Sequence, residues 1–127
     1  MPRPTFRKHE HLCSRTRLQE VATTGRSVYD APFKLVGKRM QLPTNAPAQV
    51  AFAIPKRYLR LAVQRNRMRR LMREAYRLNK ERYYAALQAS GAQCAWLFIY
   101  QGKGTITLAE TELKITRALD RWLKEHG

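Results

Sequence analysis

Residues 62–77, AVQRNRMRRLMREAYR, hold six arginines and still keep an apolar side. Read as a helix, Asn66, Arg70, Arg73 and Arg77 recur at i, i+4, i+7 and i+11 and make one narrow stripe. Met68, Leu71, Met72, Ala75 and Leu78 fall on the opposite side, and Arg67 and Arg69 flank the stripe. Such a helix buries one side in a core and presents guanidinium groups on the other. A guanidinium is a planar fork of donors that binds two oxygens at once, which suits phosphate. The pattern points to an RNA-binding helix anchored to a small domain.

Charge strengthens that reading. The 127 residues carry 25 Lys and Arg against 9 Asp and Glu, a net charge of +16. An excess of that size implies a polyanionic partner. It is also concentrated, because residues 56–82 hold eleven basic side chains and only Glu74 and Glu81 as acids. An ordinary solvated helix face mixes signs four residues apart. This one repeats a single sign, which is self-repulsive until an anion neutralises it. A membrane surface is a poor match for that anion: the apolar side is Met, Ala and Leu without a Trp or Phe anchor. With 44% apolar residues the chain can bury a core. Cys13 and Cys94 make no disulfide framework. No secretory pattern and no apolar run near 18 residues is present, so the expectation is a soluble, cytoplasmic chain with reduced thiols.

Residues 1–11 (MPRPTFRKHEH) are expected to be a flexible basic segment, followed by a single RNA-binding domain over 12–127. Thr16 and Gln19 have capping-box spacing, and Leu18, Val21 and Ala22 give a short helix of about two turns that Gly25 stops. Residues 33–40 and 49–54 read as strands, with a Pro- and Asn-containing turn between them. Val50, Phe52 and Ile54 point one way, Ala51 and Ala53 the other. Lys56, Arg57 and Arg60 lie on the connection into the long helix, which runs toward Gln88 with a possible break at Asn79. Residues 94–100 (CAWLFIY) read as a central strand. Thr107 with Glu110 opens a last helix, apolar at Ile115, Ala118, Leu119, Trp122 and Leu123. The expected class is α+β: a small sheet with helices packed on one side, in the order α-β-β(-β)-α-β-α.

The basic stretch resembles the signature of the bacterial ribonuclease P protein subunit family. That family runs from a strand into a Lys-Lys or Lys-Arg pair, then Ala-Val, Arg-Asn-Arg and a basic helix. Here the matching pieces are Lys56-Arg57, Ala62-Val63, Arg65-Asn66-Arg67, Arg70, Arg73 and Glu74. The resemblance extends over residues 12–124, with Leu12, Val21, Gly25 and Phe33 at the family's first helix and strand. It implies a βαβ crossover of left hand, against the usual rule. It also implies a subunit of an endoribonuclease holoenzyme that removes the 5′ leader of precursor tRNA. The partners are then the catalytic RNA and the precursor tRNA, with no obligate protein partner. The catalytic centre lies in the RNA, and Mg²⁺ is held mainly there, none of it firmly by this chain. RNA contacts are expected from Lys56, Arg57, Arg60, Arg65, Asn66, Arg67, Arg69, Arg70, Arg73 and Arg77. Leu18 and Ala22 stand where the family often has aromatics lining a leader groove, and Ala51 replaces a frequent Gly. Phe33 and Phe52 are further groove candidates, because Phe33, Phe52, Trp96, Phe98 and Tyr100 are expected to alternate between sheet faces and exposed rings stack on unpaired bases.

The rest of the chemistry agrees. A nuclease acting alone needs clustered carboxylates or a base beside a nucleophile. Only Glu74 lies in the motif, where it is placed to pair with Arg70 or Arg77. His9, His11 and Cys13 alternate like metal ligands, but no second cluster completes a site. The main rival is a structural, ribosomal-type RNA-binding protein with no part in tRNA processing. A DNA-binding protein is disfavoured by the absence of a heptad dimerisation segment.

Overall fold

A computed structural model of the chain describes residues 6–127; residues 1–5 of the expected flexible segment lie outside the described residues. The elements are α1 (Arg15–Thr24), β1 (Arg26–Asp30), β2 (Phe33–Arg39), β3 (Ala48–Ala53), α2 (Ala62–Ser90), β4 (Cys94–Tyr100) and α3 (Leu108–His126), after a short 3-10 helix at Lys8–Glu10. This is the α+β order the sequence predicts, with β1 as the optional strand. The four strands lie in the order β1-β2-β4-β3. β2 is antiparallel to β1 and β4, whereas β3 and β4 are parallel and joined through α2.

The helices do not share one side. α2 and α3 bury Met68, Met72, Tyr76, Ile115, Leu119 and Trp122 against one sheet face, while Leu12 and Val21 pack with Val36, Ala95 and Leu97 on the other. β4 is therefore covered on both faces, which explains its unbroken apolar sequence. Ser14, not Thr16, caps α1, its hydroxyl accepting from the Arg17 amide, so the helix is ten residues rather than two turns. Thr107 caps α3 as expected, accepting from the Glu110 amide at 3.1 Å. α2 passes through Asn79 without a break, because that amide donates to Ala75 O and to Glu112 Oε1, at 2.8 and 3.0 Å. It stops at Gly91, which takes the left-handed φ of 70° that glycine tolerates. Gly37 is required by close approach: a Cβ there would lie 2.5 Å from both Trp96 and Trp122.

Residues 6–11 differ from the flexible segment expected. Leu12 N donates to Val50 O at 2.9 Å, and His11 bridges Val50 beside the β3 edge. Phe6 packs edge-on against Tyr76 and Phe52, with centroids at 5.5 and 6.2 Å. Glu10 forms an ion pair with Lys80, and both side chains are 5% exposed. Beside them the hydroxyl of Tyr76 donates to that of Tyr84 at 3.0 Å. The basic N-terminal composition hid one acid whose partner lies seventy residues away.

Burial raises the Glu10 carboxyl pKa, but hydrogen bonds from Lys80, the Arg7 amide and Tyr84 outweigh it and hold the group below its ordinary value. A depressed folded pKa contributes stability that is complete above the ordinary carboxylate range and fades as pH falls through the folded value. Glu10→Gln is expected to cost about 3 kcal/mol at neutral pH, since it removes the anion from a buried pair. Urea unfolding checks this, and the gap between variant and parent should narrow on acidification.

Candidate nucleic-acid interface

Pro55 ends β3, and the connection turns back with Leu59 buried beneath it. Lys56, Arg57 and Arg60 remain exposed on that turn. No side chain caps the start of α2. Instead Arg65 reaches back and donates to Leu59 O and Arg60 O, at 2.8 and 2.7 Å. Its guanidinium thus braces the connection.

Beyond that brace the stripe divides. Asn66, Arg67 and Arg70 are exposed and, with Val63 and Leu71, line an open concavity of about 430 Å³. Arg69 donates to Asn66 Oδ1 at 3.2 Å, and Arg73 lies over the Phe6 ring. Arg77 is half-buried and forks onto both carboxylate oxygens of Glu74, at 3.0 and 2.5 Å. These bonds lower the Glu74 carboxyl pKa. Among the described residues Arg67, Arg70 and Arg73 have no ion-pair partner. The predicted stripe is therefore present, with Arg65 and Arg77 also engaged inside the protein. Leu78, expected in the core, is 43% exposed, because the buried side of α2 rotates through Tyr76, Lys80 and Tyr83.

The groove candidates fare differently. Leu18 packs against the apolar cluster between α1 and the sheet, and Ala22 is exposed on α1. Phe33 and Phe52 are on the other side of the sheet. Phe52 stacks on its register partner Phe98 at 5.8 Å, and Phe33 is wholly buried against Tyr100. Register settles the matter: Trp96, Phe98 and Tyr100 are two apart on β4, and Phe52 and Phe33 pair with the last two. All five rings therefore share the α2–α3 face and do not alternate.

The α1 face presents another row, which sequence reasoning missed. Tyr29, Lys34, Ile99 and Ala53 are register partners across the four strands. Tyr29 is 57% exposed, and Lys34 Nζ lies 5.4 Å from its ring centroid. A ring beside an ammonium, on a floor of small and aliphatic side chains, suits an unpaired base and its phosphate. The missed signal was Val28, whose burial forces Tyr29 to the opposite face.

The acids are scattered. Glu20 pairs with Lys38, Asp30 with Lys114 and Arg117, Asp120 with Arg82, and Glu125 with Arg121. Among the described residues no three His, Cys, Asp or Glu side chains gather into a metal-holding group. No helix among them is long and apolar enough to cross a membrane.

Comparison with known proteins bears on the same residues. The family model described as Ribonuclease P matches residues 6–125. The ribonuclease P protein component of Chlorobium phaeobacteroides is 36% identical over 83 residues, covering 63% of this chain and 57% of that one. That of Porphyromonas gingivalis is 36% identical over 87 residues, covering 67% and 64%. The chain thus spans 57% and 64% of the lengths of these two curated relatives. Among solved structures, the RNase P protein of Staphylococcus aureus superposes with a TM-score of 0.70 at 16% identity, over 90% of this chain and 95% of that one. The Thermotoga maritima protein gives 0.68 at 18%, over 88% and 96%. At such identities the structural likeness speaks for the fold.

Replacing exposed Arg67 and Arg70 together with Ala should weaken RNA binding and lower the salt slope of log K by about 2, one for each lost phosphate contact. Urea stability should stay within about 0.5 kcal/mol of the parent. Arg65→Ala, which removes the brace on Leu59 O and Arg60 O, should lower both.

Proposed function

The chain belongs to the ribonuclease P protein family, and on that premise we propose that it is the protein component of a ribonucleoprotein that removes the 5′ leader of precursor tRNA. The observation that carries this reading is the contrast between its charges. Among the described residues Arg67, Arg70 and Arg73 face outward without carboxylate partners, while Glu10, Glu20, Asp30, Glu74, Asp120 and Glu125 are each held by other cations. Such a surface suits a polyanion, and among the described residues no cluster of metal-ligating side chains gathers for hydrolysis.

The arginines of α2 neutralise phosphates of the catalytic RNA, letting its strands approach near the reacting bond. Lys56, Arg57 and Arg60 extend that contact along the connection. The row Tyr29–Lys34–Ile99–Ala53, with Leu18 and Ala22 of α1 beside it, holds the single-stranded leader by stacking and charge. Activation of water by Mg²⁺ belongs to the RNA. Guanidinium groups around Asn66 repel a cation, so the donors present do not fit a resident metal. On this reading the protein works where precursor tRNA is processed, in the cytoplasm.

Cleavage of leader-bearing precursor tRNA at low Mg²⁺ tests this with bacterial ribonuclease P RNA alone, this protein alone, and both. Correct 5′ maturation is expected only with both. RNA binding without stimulation would move the protein to a ribosomal type of role, and cleavage by protein alone would mean an active site of its own. Lys34→Ala with Tyr29→Ala should reduce the preference for leader-bearing over leaderless tRNA by about 1–3 kcal/mol, the range for one lost stacked base. Equilibrium binding to the assembled complex measures it.

A further inference from the structure

The segment before α1 brings an imidazole up to the second flank of the arginine stripe. His11 packs against Phe6 in a tilted arrangement, with ring centroids 3.9 Å apart. The Arg73 guanidinium lies 5.8 Å from the centroid of the same Phe6 ring. Arg69 and Arg73, one helical turn apart, form the far wall of a cleft of about 240 Å³. His11, Cys13 and Phe52 are on its near wall and floor. The carboxylate next in sequence, Glu10, is buried in its pair with Lys80. Two guanidinium groups and an imidazole thus converge on a cleft whose adjoining acid is engaged elsewhere.

We propose that this cleft is a pH-sensitive subsite for an RNA phosphodiester, in which protonated His11 donates to one phosphate oxygen while Arg69 and Arg73 hold the others. The inference deepens the RNA-binding reading of α2 and rests on it. It adds a residue outside the helix and a proton to the recognition. The charged and titratable groups around His11 are Arg73 and Arg69 from α2, and Cys13 and Glu10 from its own segment. Burial and Arg73 lower the imidazole pKa, while a bond to the Phe6 carbonyl and the charge of Glu10 pull the other way with less effect. The free protein therefore disfavours the imidazolium at His11. A phosphodiester in the cleft favours the imidazolium and raises that pKa, so binding takes up a proton and tightens as pH falls.

Two sources of phosphodiester, the catalytic RNA and the precursor leader, are separated by binding the full chain to ribonuclease P RNA alone, and the assembled holoenzyme to precursor tRNA with and without its leader. Each is measured from about pH 7.5 to about pH 5.5, across the histidine range. The parent should gain roughly three- to tenfold in affinity as pH falls in the arm that supplies the phosphate, because binding there takes up a proton. His11→Asn should be flat in that arm. Variant folding is checked by thiol labelling: Cys13 is exposed, whereas Cys94 is buried with its pKa pushed up to about 11 and should stay unreactive. Independently of any variant, proton NMR of His11 in the full chain should show its pKa rise on adding a uridine tetranucleotide. The same pH dependence in His11→Asn, no pH dependence in either arm, or an unmoved His11 pKa would overturn the subsite. Those results with cleavage intact leave the ribonuclease P reading standing. Loss of cleavage by the parent complex would count against that reading, and the NMR result would still decide the cleft.

Discussion

The parallel pairing of β3 with β4 governs this molecule. Parallel neighbours need a crossover, and α2 supplies it. A helix of 29 residues is about 43 Å long. The six residues of β3 span only about 20 Å. The helix must therefore overrun the sheet. Its buried residues begin at Met68 and end at Leu87, leaving the first turn and the last one outside. Leu61 and Val63 are accordingly 62% and 77% exposed, and the arginine stripe starts on this overhang. The same contacts that seat Met68, Met72 and Tyr76 on the sheet fix which arginines face outward.

Two modes of handling charge coexist along that helix. Lys80 is buried and matched by Glu10, and Arg77 is matched by Glu74 on its own helix. Arg67, Arg70 and Arg73 are not matched within the described residues. Local neutralisation holds the fold together near the middle of α2, whereas the N-terminal half keeps charge for a partner. Exposure matters to this division. An exposed guanidinium stays hydrated and costs little alone, but several of one sign repel across one or two helical turns until an anion arrives.

Much of this was legible because it is local. The α2 stripe, the Thr107 cap and the apolar β4 follow from spacing and capping chemistry within a few residues. What sequence misplaced depends on neighbours far along the chain. The face occupied by Phe33 and Phe52 is decided by pairing with β4 more than forty residues later, so spacing alone left both as groove candidates and made the five rings look alternating. The open row containing Tyr29 and Lys34 was missed for the same reason. The segment at 6–11 looked merely basic, because Glu10 acquires its meaning only from Lys80. Asn79 looked like a break because its bond to Glu112 on α3 is a tertiary contact.

With the catalytic RNA proposed at the α2 arginines and the leader on the α1 face, two RNAs lie on opposite faces of one sheet, and cross-linking in the assembled complex tests that division most directly. With Cys13→Ser as background and Cys94 buried, a photoreactive group can be attached at Val63→Cys on the overhang of α2 or at Ala53→Cys in the open row. Position 63 should cross-link to the catalytic RNA and position 53 to the precursor leader. Cross-linking of both positions to the same RNA, or the reverse assignment, would contradict it.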